Sequence, residues 1–405
     1  MRVLLAIDAI DSLGGSERHA RELLHELVAR GHDARLLLER PPGAGHGLPA
    51  DLAPVHVAPD AAAAEGVARA LRPDVVHVLS AREPARTRAL ARAAPVTRFV
   101  QDHTTFCPGL NKIVDAPLGL PRACVEPAGL ACVRRYWLQG GCACFAPSQS
   151  GPLEALHRVG AVLRGLDTLE SARGVVVASD YMRRQLVASG LSAGRVHVIP
   201  YFTLAASRAL RPEPPPPEVE AFAAARAGHL MLASARLVSP DKGIEHLLTT
   251  LGKLPARIAL VVAGAGPAEA WLRAKCAQEG LAERVCFAGR LSSGQLEALY
   301  PRCEVVAFPS TWDEPFGLVG IEAMAHQRPV AAFDVGGVRE WLVEGATGLL
   351  APRGDTDRLA AAIARLFEDR SLRLRLGRAG AARVEALFRP RAHLERLERV
   401  LAGAG

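Results

Sequence analysis

Short apolar runs recur along this chain with helix-patterned stretches between them, and the series breaks once and then restarts. The first series is Val3–Ile7, Ala34–Leu38, Val55–Ala58, Val75–Leu79, Val96–Val100, Val175–Ala178 and Val196–Ile199. A Pro-rich break, Arg211-Pro-Glu-Pro-Pro-Pro-Pro-Glu218, follows, and the rhythm resumes at His229 with LMLASAR, IALVVAGAG, RVCFAGR, EVVAFPS, PVAAFD and GLLAP. Runs this short and this uniformly apolar read as strands covered on both faces, and the helical spacers read as crossovers of a parallel sheet. At 405 residues there is chain enough for two domains. The expectation is α/β: two Rossmann-like, doubly wound parallel-sheet domains facing across a cleft. The boundaries fall at 1–210, a semi-rigid linker at 211–220, 221–386, and a C-terminal helix at 387–405 that crosses back to the first domain.

The second series contains Pro309–Gly337, PSTWDEPFGLVGIEAMAHQRPVAAFDVGG. Its pattern predicts a strand over Glu304–Phe308, a loop holding Glu314, a helix from Phe316 or Gly317, and a strand over Pro329–Phe333. The loop therefore lies at the carboxyl end of a parallel strand, where open α/β sheets bind ligands. The helix start offers N–H groups and a positive dipole end to an anion. Phe316, Gly317 and Leu318 are the expected donors, and Gly317 admits a phosphate without a Cβ in its way. Glu314 and Glu322 flank this turn, where a carboxylate would repel an anion. Hydroxyl groups on either side of a diphosphate would explain both, because carboxylates accept hydrogen bonds from hydroxyls. Taken alone, the pair reads more readily as a surface Glu314 and a Glu322 that favours the helix start.

Glu314-Pro-Phe-Gly-Leu and Glu322-Ala-Met-Ala are followed by Pro329-Val, Gly336-Gly337, Glu340, Gly345 and Gly348-Leu-Leu. Together they resemble the donor-site signature of the retaining family-four glycosyltransferases. The resemblance covers the C-terminal half of the chain and, more loosely, the N-terminal half. It implies the type-B glycosyltransferase fold and a hexosyltransferase that moves a sugar, with retention, from a nucleoside-diphosphate sugar to an acceptor hydroxyl. The acceptor would be a sugar, a lipid-linked molecule or a small molecule, in cell-surface polysaccharide, glycolipid or related glycoconjugate synthesis. Family members use the first Glu on the transferred sugar and the second on the ribose, which assigns those roles to Glu314 and Glu322.

Arg236 and Lys242, in Ala233-Ser-Ala-Arg-Leu-Val-Ser-Pro-Asp-Lys-Gly243, offer a forked donor and a point charge between a strand and a helix. The resemblance places both on the departing diphosphate, where fixed cations stabilise charge that builds in the transition state. No cofactor and no divalent metal are then required. Ala263-Gly264-Ala-Gly266-Pro267 begins like a dinucleotide loop but lacks the third glycine. By resemblance, Gly264 belongs to the turn near the base and Arg290 lies beside it.

In the first domain, Gly14-Gly15-Ser16-Glu17 opens a helix after the first strand and has the makings of an anion-binding turn. The resemblance sets Gly15 over the donor phosphates, facing the acceptor. His103 ends the fifth run, and the family carries a His there near the reacting sugar carbon. The first domain is thus the acceptor domain. Ser179 or Asp180 reads as a helix N-cap, and Tyr201-Phe202 departs from the Asn-Gly that the family more often has after the Pro. Cys107, Cys124, Cys132, Cys142 and Cys144 fall in a Pro- and Gly-rich segment, 107–144, with irregular spacing. They read as buried thiols or as ligands of a structural metal.

The net charge is +7, yet the arginines are spread along helical faces without interleaved aromatics, so nucleic acid is not the expected partner. An anionic membrane face is a compatible peripheral partner. The apolar run before Asp8 is too short for a signal segment or a membrane span, so a cytoplasmic protein is expected, peripheral at the inner membrane face if it meets one. The competing reaction class is a nucleotide-sugar epimerase or hydrolase on the same two-domain fold. A nicotinamide enzyme is disfavoured because no turn carries the glycine fingerprint.

Overall fold

The computed structural model describes residues 1–10, 14–41, 54–80, 83–109, 112–116, 119–124, 126–138, 152–207, 209–237 and 242–403. They form two compact units, Met1–Tyr201 with Arg391–Gly405, and Phe202–Pro390.

The first unit holds β1 (Arg2–Ile7), β2 (Asp33–Leu38), β3 (Val55–Val57), β4 (Val75–Val78), β5 (Val96–Val100), β6 (Ile113–Ala116), β7 (Gly119–Ala123), β8 (Gly174–Val177) and β9 (Val196–Val198). Seven of these make one sheet in the order β3-β2-β1-β4-β5-β8-β9, every pair parallel, while β6 and β7 form a separate antiparallel hairpin. The second unit holds β10 (Leu230–Ser234), β11 (Ala259–Ala263), β12 (Val285–Gly289), β13 (Val305–Phe308), β14 (Val330–Phe333) and β15 (Gly348–Ala351), all parallel in the order β12-β11-β10-β13-β14-β15. Both sheets wind outward from a central pair, β1/β4 and β10/β13. Each therefore has the switch point where the strand order reverses and loops part to leave a crevice. Every residue of β4, β5, β8, β11, β13 and β14 is buried. Burial on both faces is why these strands show no polar alternation.

Two stretches differ from expectation. The Pro-rich stretch 211–220 does not join the units, because the chain leaves the first one at Tyr201. Instead it packs within the second: Glu213 N donates to Gly294 O at 2.9 Å, Ser292 Oγ donates to Glu213 at 2.7 Å, and Pro217 opens the helix Pro217–Ala225. Proline suits a helix start because the first-turn N–H it lacks has no partner inside the helix. The segment that showed no sheet period contains the β6–β7 hairpin and the helix Leu130–Leu138. Cys107 is buried and Cys124 and Cys132 are half-buried, whereas Cys142 and Cys144 lie outside the described residues. Among the described residues no group of His, Cys, Asp or Glu is placed to hold a metal ion. Nor is any helix among them long and apolar enough to cross a membrane.

The last helix, Pro390–Ala402, docks on the first unit. His393 Nδ1 lies 2.7 Å from Pro200 O, Arg173 donates to Leu401 O at 2.8 Å, and Glu398 pairs with Arg30 at 2.8 Å. Beneath the helix, the His19 ring sits edge-on to Tyr201 (4.6 Å between centroids), His393 (5.3 Å) and Phe99 (5.6 Å). His77 stacks on Phe99 and bonds Thr97 Oγ1 at 2.8 Å through Nδ1. Burial lowers all three histidine pKa values: His77 to about 3, His393 to about 4, and His19 well below its ordinary range. The rings are packed as neutral aromatics.

Candidate active site

The loops after β10 and β13 meet at the switch point of the second sheet, because these two strands are hydrogen-bonded neighbours with Met231 opposite Val305 and Leu232 opposite Val306. Lys242 Nζ, from the first loop, donates to Glu314 Oε1, from the second, at 2.6 Å. Ser310 Oγ donates to the same oxygen at 2.9 Å. Glu314 is 6% exposed, so its charge is held by these donors with little help from water. The ammonium of Lys242 also lies 4.6 Å from the ring centre of Trp312, a placement that favours a cation.

From Glu314 the chain enters the helix Leu318–Ala325, with Gly317 as its N-cap at a left-handed φ of 100°. The helix begins one or two residues later than its sequence pattern predicts, since Gly317 turns the backbone the other way first. First-turn N–H groups lack the partner one turn back that later ones have; here Gly320 N donates to Gly317 O at 3.1 Å, and Leu318 is the first residue of the helix. Phe316 is buried, its carbonyl accepting from Trp341 Nε1 at 2.7 Å. Glu322 is buried one turn on, where Tyr300 donates its hydroxyl to Oε2 at 3.1 Å. Tyr300 in turn stacks on His326, with centroids 5.1 Å apart.

Gly264 and Arg290 follow β11 and β12, and Gly264 N donates to Gly289 O at 2.7 Å, which ties the two turns together. A Cβ at Gly264 would stand 1.7 Å from Ala235 O, and the residue has φ +154°, so only glycine fits. The main chain after β10 and that after β11 are thereby in direct contact, one residue before Arg236. Arg236 and Arg290 are exposed, and among the described residues Arg236 has no ion-pair partner. The second unit thus gathers Arg236, Lys242, Gly264, Arg290, Glu314, Phe316, Gly317, Leu318 and Glu322 on the carboxyl-edge loops of one sheet and the helix that follows.

Gly15 and His103 belong to the first unit. Gly15 is exposed and begins the helix Gly15–Ala29 after β1, with Gly14 extended at its N-cap. His103 follows β5 in a short turn capped by Asp102, which accepts from Thr104 N at 2.9 Å. Its ring is buried, with Nε2 3.0 Å from the Tyr181 hydroxyl and the ring edge-on to Phe106. Burial, with Lys112 nearby, pulls its pKa to about 3, so the imidazole is uncharged at neutral pH.

Ser310, Trp312, Tyr300 and Trp341 support the site without having been singled out in the sequence. One signal was available for Trp341: Gly320 sits inside a helix, where glycine is costly without a packing reason. A Cβ there would lie 2.4 Å from the Trp341 ring.

Two family models match the chain: "Glycosyltransferase Family 4" over residues 13–202 and "Glycosyl transferases group 1" over residues 220–383. An alpha-D-kanosaminyltransferase of Streptomyces kanamyceticus is 33% identical over 142 residues, 34% of this chain and 36% of that one. A GDP-mannose-dependent alpha-(1-6)-phosphatidylinositol monomannoside mannosyltransferase of Mycobacterium tuberculosis is 35% identical over 164 residues, 38% of this chain and 42% of that one. The chain thus spans well under half the length of these curated relatives. Among solved structures, Anabaena Alr3699/HepE in complex with UDP superposes with a TM-score of 0.71 at 20% identity, covering 99% of this chain and 100% of that one. That likeness extends to both doubly wound sheets, the type-B arrangement. With one model over the first sheet and the other over the second, the chain belongs to the family-four, group 1 glycosyltransferases.

Proposed function

We propose that the protein moves a hexosyl group from a nucleoside-diphosphate sugar to an acceptor hydroxyl with retention at the anomeric carbon. The observation that carries this reading is the Lys242–Glu314 contact at the switch point of the second sheet, with Glu322 in the helix that follows. Leaving-group departure builds charge on a diphosphate oxygen, and Arg236, Lys242 and the N–H groups at Leu318 meet it. Glu314 takes the hydroxyls of the transferred sugar and Glu322 those of the ribose, while the turns at Gly264 and Arg290 hold the base. In the first unit Gly15 serves the donor phosphates and the neutral His103 the reacting sugar carbon, and the loops receive the acceptor, whether sugar, lipid-linked or small molecule. The net charge of +7 supports work at an anionic membrane face in the cytoplasm. The epimerase or hydrolase reading is not favoured, since both family models and the relatives above are glycosyltransferases.

Mass-spectrometric screening of UDP-, GDP- and ADP-sugars for binding, followed by transfer assays, tests the reading; consumption of donor without acceptor would overturn it. Glu322→Ala should raise the donor KM by about 10-fold or more, the worth of a charge-assisted hydrogen bond. An unchanged KM removes Glu322 from the ribose. Transfer should persist in chelator, because Arg236 and Lys242 supply the charge a cation would bring; complete loss would contradict that role.

A further inference from the structure

Glu314 is held by more than Lys242 and Ser310. Its carbonyl oxygen accepts from Gly337 N at 2.7 Å, and the neighbouring Gly336, at φ +49°, comes so near that a Cβ would stand 2.4 Å from the same oxygen. That turn is fixed in its place by Asp313, whose Oδ1 accepts from Gly336 N at 2.9 Å. The same oxygen is paired with Arg353, which follows β15. Asp313 is 3% exposed, so its carboxylate sits almost out of water and depends on the guanidinium for compensation. Three segments, after β13, β14 and β15, are thus pinned to one another around the backbone of Glu314.

We infer that Arg353 and Asp313 are positioning residues for sugar transfer, setting the backbone from which Glu314 reaches the donor sugar. The inference rests on the proposed transferase reading. Neither residue lies among the groups assigned to the diphosphate, ribose or base. Disturbing the pair shifts Glu314, and with it the Lys242 ammonium it holds at 2.6 Å, while Arg236, Glu322 and the turns at Gly264 and Arg290 are left to bind the nucleotide. The signature is therefore a split: kcat falls while the donor KM stays near its starting value. A side chain that merely holds the fold together would instead reduce the amount of active protein and the melting temperature, with kcat per folded molecule unchanged.

The test is a kinetic series on the full chain with whichever donor the wild type uses, alongside active-site titration and melting curves. Arg353→Met should lower kcat by about 10-fold or more with donor KM within about 2-fold, since it strands a buried carboxylate. Arg353→Lys, which keeps the charge but loses the fork, should recover part of that loss. Asp313→Asn combined with Arg353→Met removes the stranded charge and leaves an acceptor for Gly336 N, so the double variant should be faster than Arg353→Met alone. Unchanged kcat in folded Arg353→Met, or a double variant no better than the single, overturns the inference. So does a kcat loss explained wholly by a smaller folded fraction. A wild type without transferase activity would instead overturn the underlying functional reading, so the two failures are distinguishable.

Discussion

Replacing Lys242 with methionine is expected to lower kcat by about 100- to 1,000-fold, the size of effect seen when one preorganised donor to developing negative charge is removed. Methionine keeps most of the side-chain length and can still rest on Trp312, so the change removes charge more than packing. Two effects combine. In the proposed reaction the departing diphosphate would lose a cation, and Glu314, 6% exposed, keeps only Ser310 as its other hydrogen-bond donor named above. The double variant Lys242→Met with Glu314→Gln separates them. If Lys242 acts on the diphosphate, neutralising Glu314 restores little turnover. If Lys242 serves only to balance Glu314, the double variant recovers towards Glu314→Gln alone, and Lys242 loses its direct role in the chemistry.

Acid should loosen the C-terminal helix first. His77 and His393 have folded pKa values of about 3 and about 4 against an ordinary value of 6.5. Above that value both rings are neutral whether the chain is folded or not, and they add no pH dependence. Below it the unfolded chain takes up protons that the buried rings refuse, so stability falls as pH falls from about 6.5 towards 4. From pH 6.5 to pH 5 this amounts to about 3 kcal/mol for the two rings together, half of it from each. His393 lies on the helix itself and His19, buried beside it, is shifted in the same direction by burial and by His393, His77 and Arg18. Amide exchange across Pro390–Ala402, corrected for intrinsic rate, should therefore quicken between pH 7.5 and pH 5 by about 10-fold or more. His393→Phe should flatten that dependence, and equal protection at both pH values would refute the mechanism.

Much of this was legible in the sequence because it is backbone physics. Strands buried on both faces must be continuously apolar, and that marked Val75–Val78 and Val305–Phe308 to within a residue. Glu314, Glu322, Arg236 and Lys242 stood out only together, through the resemblance to a known donor-site signature; taken singly, each reads as an ordinary surface or helix-start charge. The partners were hidden because pairing depends on distance in space. Arg353 reaches Asp313 across 40 residues, and Tyr300 reaches Glu322 from another element. The Pro-rich stretch misled because prolines signal stiffness and lack of a donor, features shared by a linker and by a segment laid against a domain before a helix.

The crowding of Gly264 against Ala235 O has a practical outcome for anyone wishing to alter what this protein binds. Main chain abuts main chain there, so libraries randomised at that glycine will consist mostly of misfolded clones. Diversity is better directed at the exposed Arg290, where new side chains can be sampled without moving the scaffold.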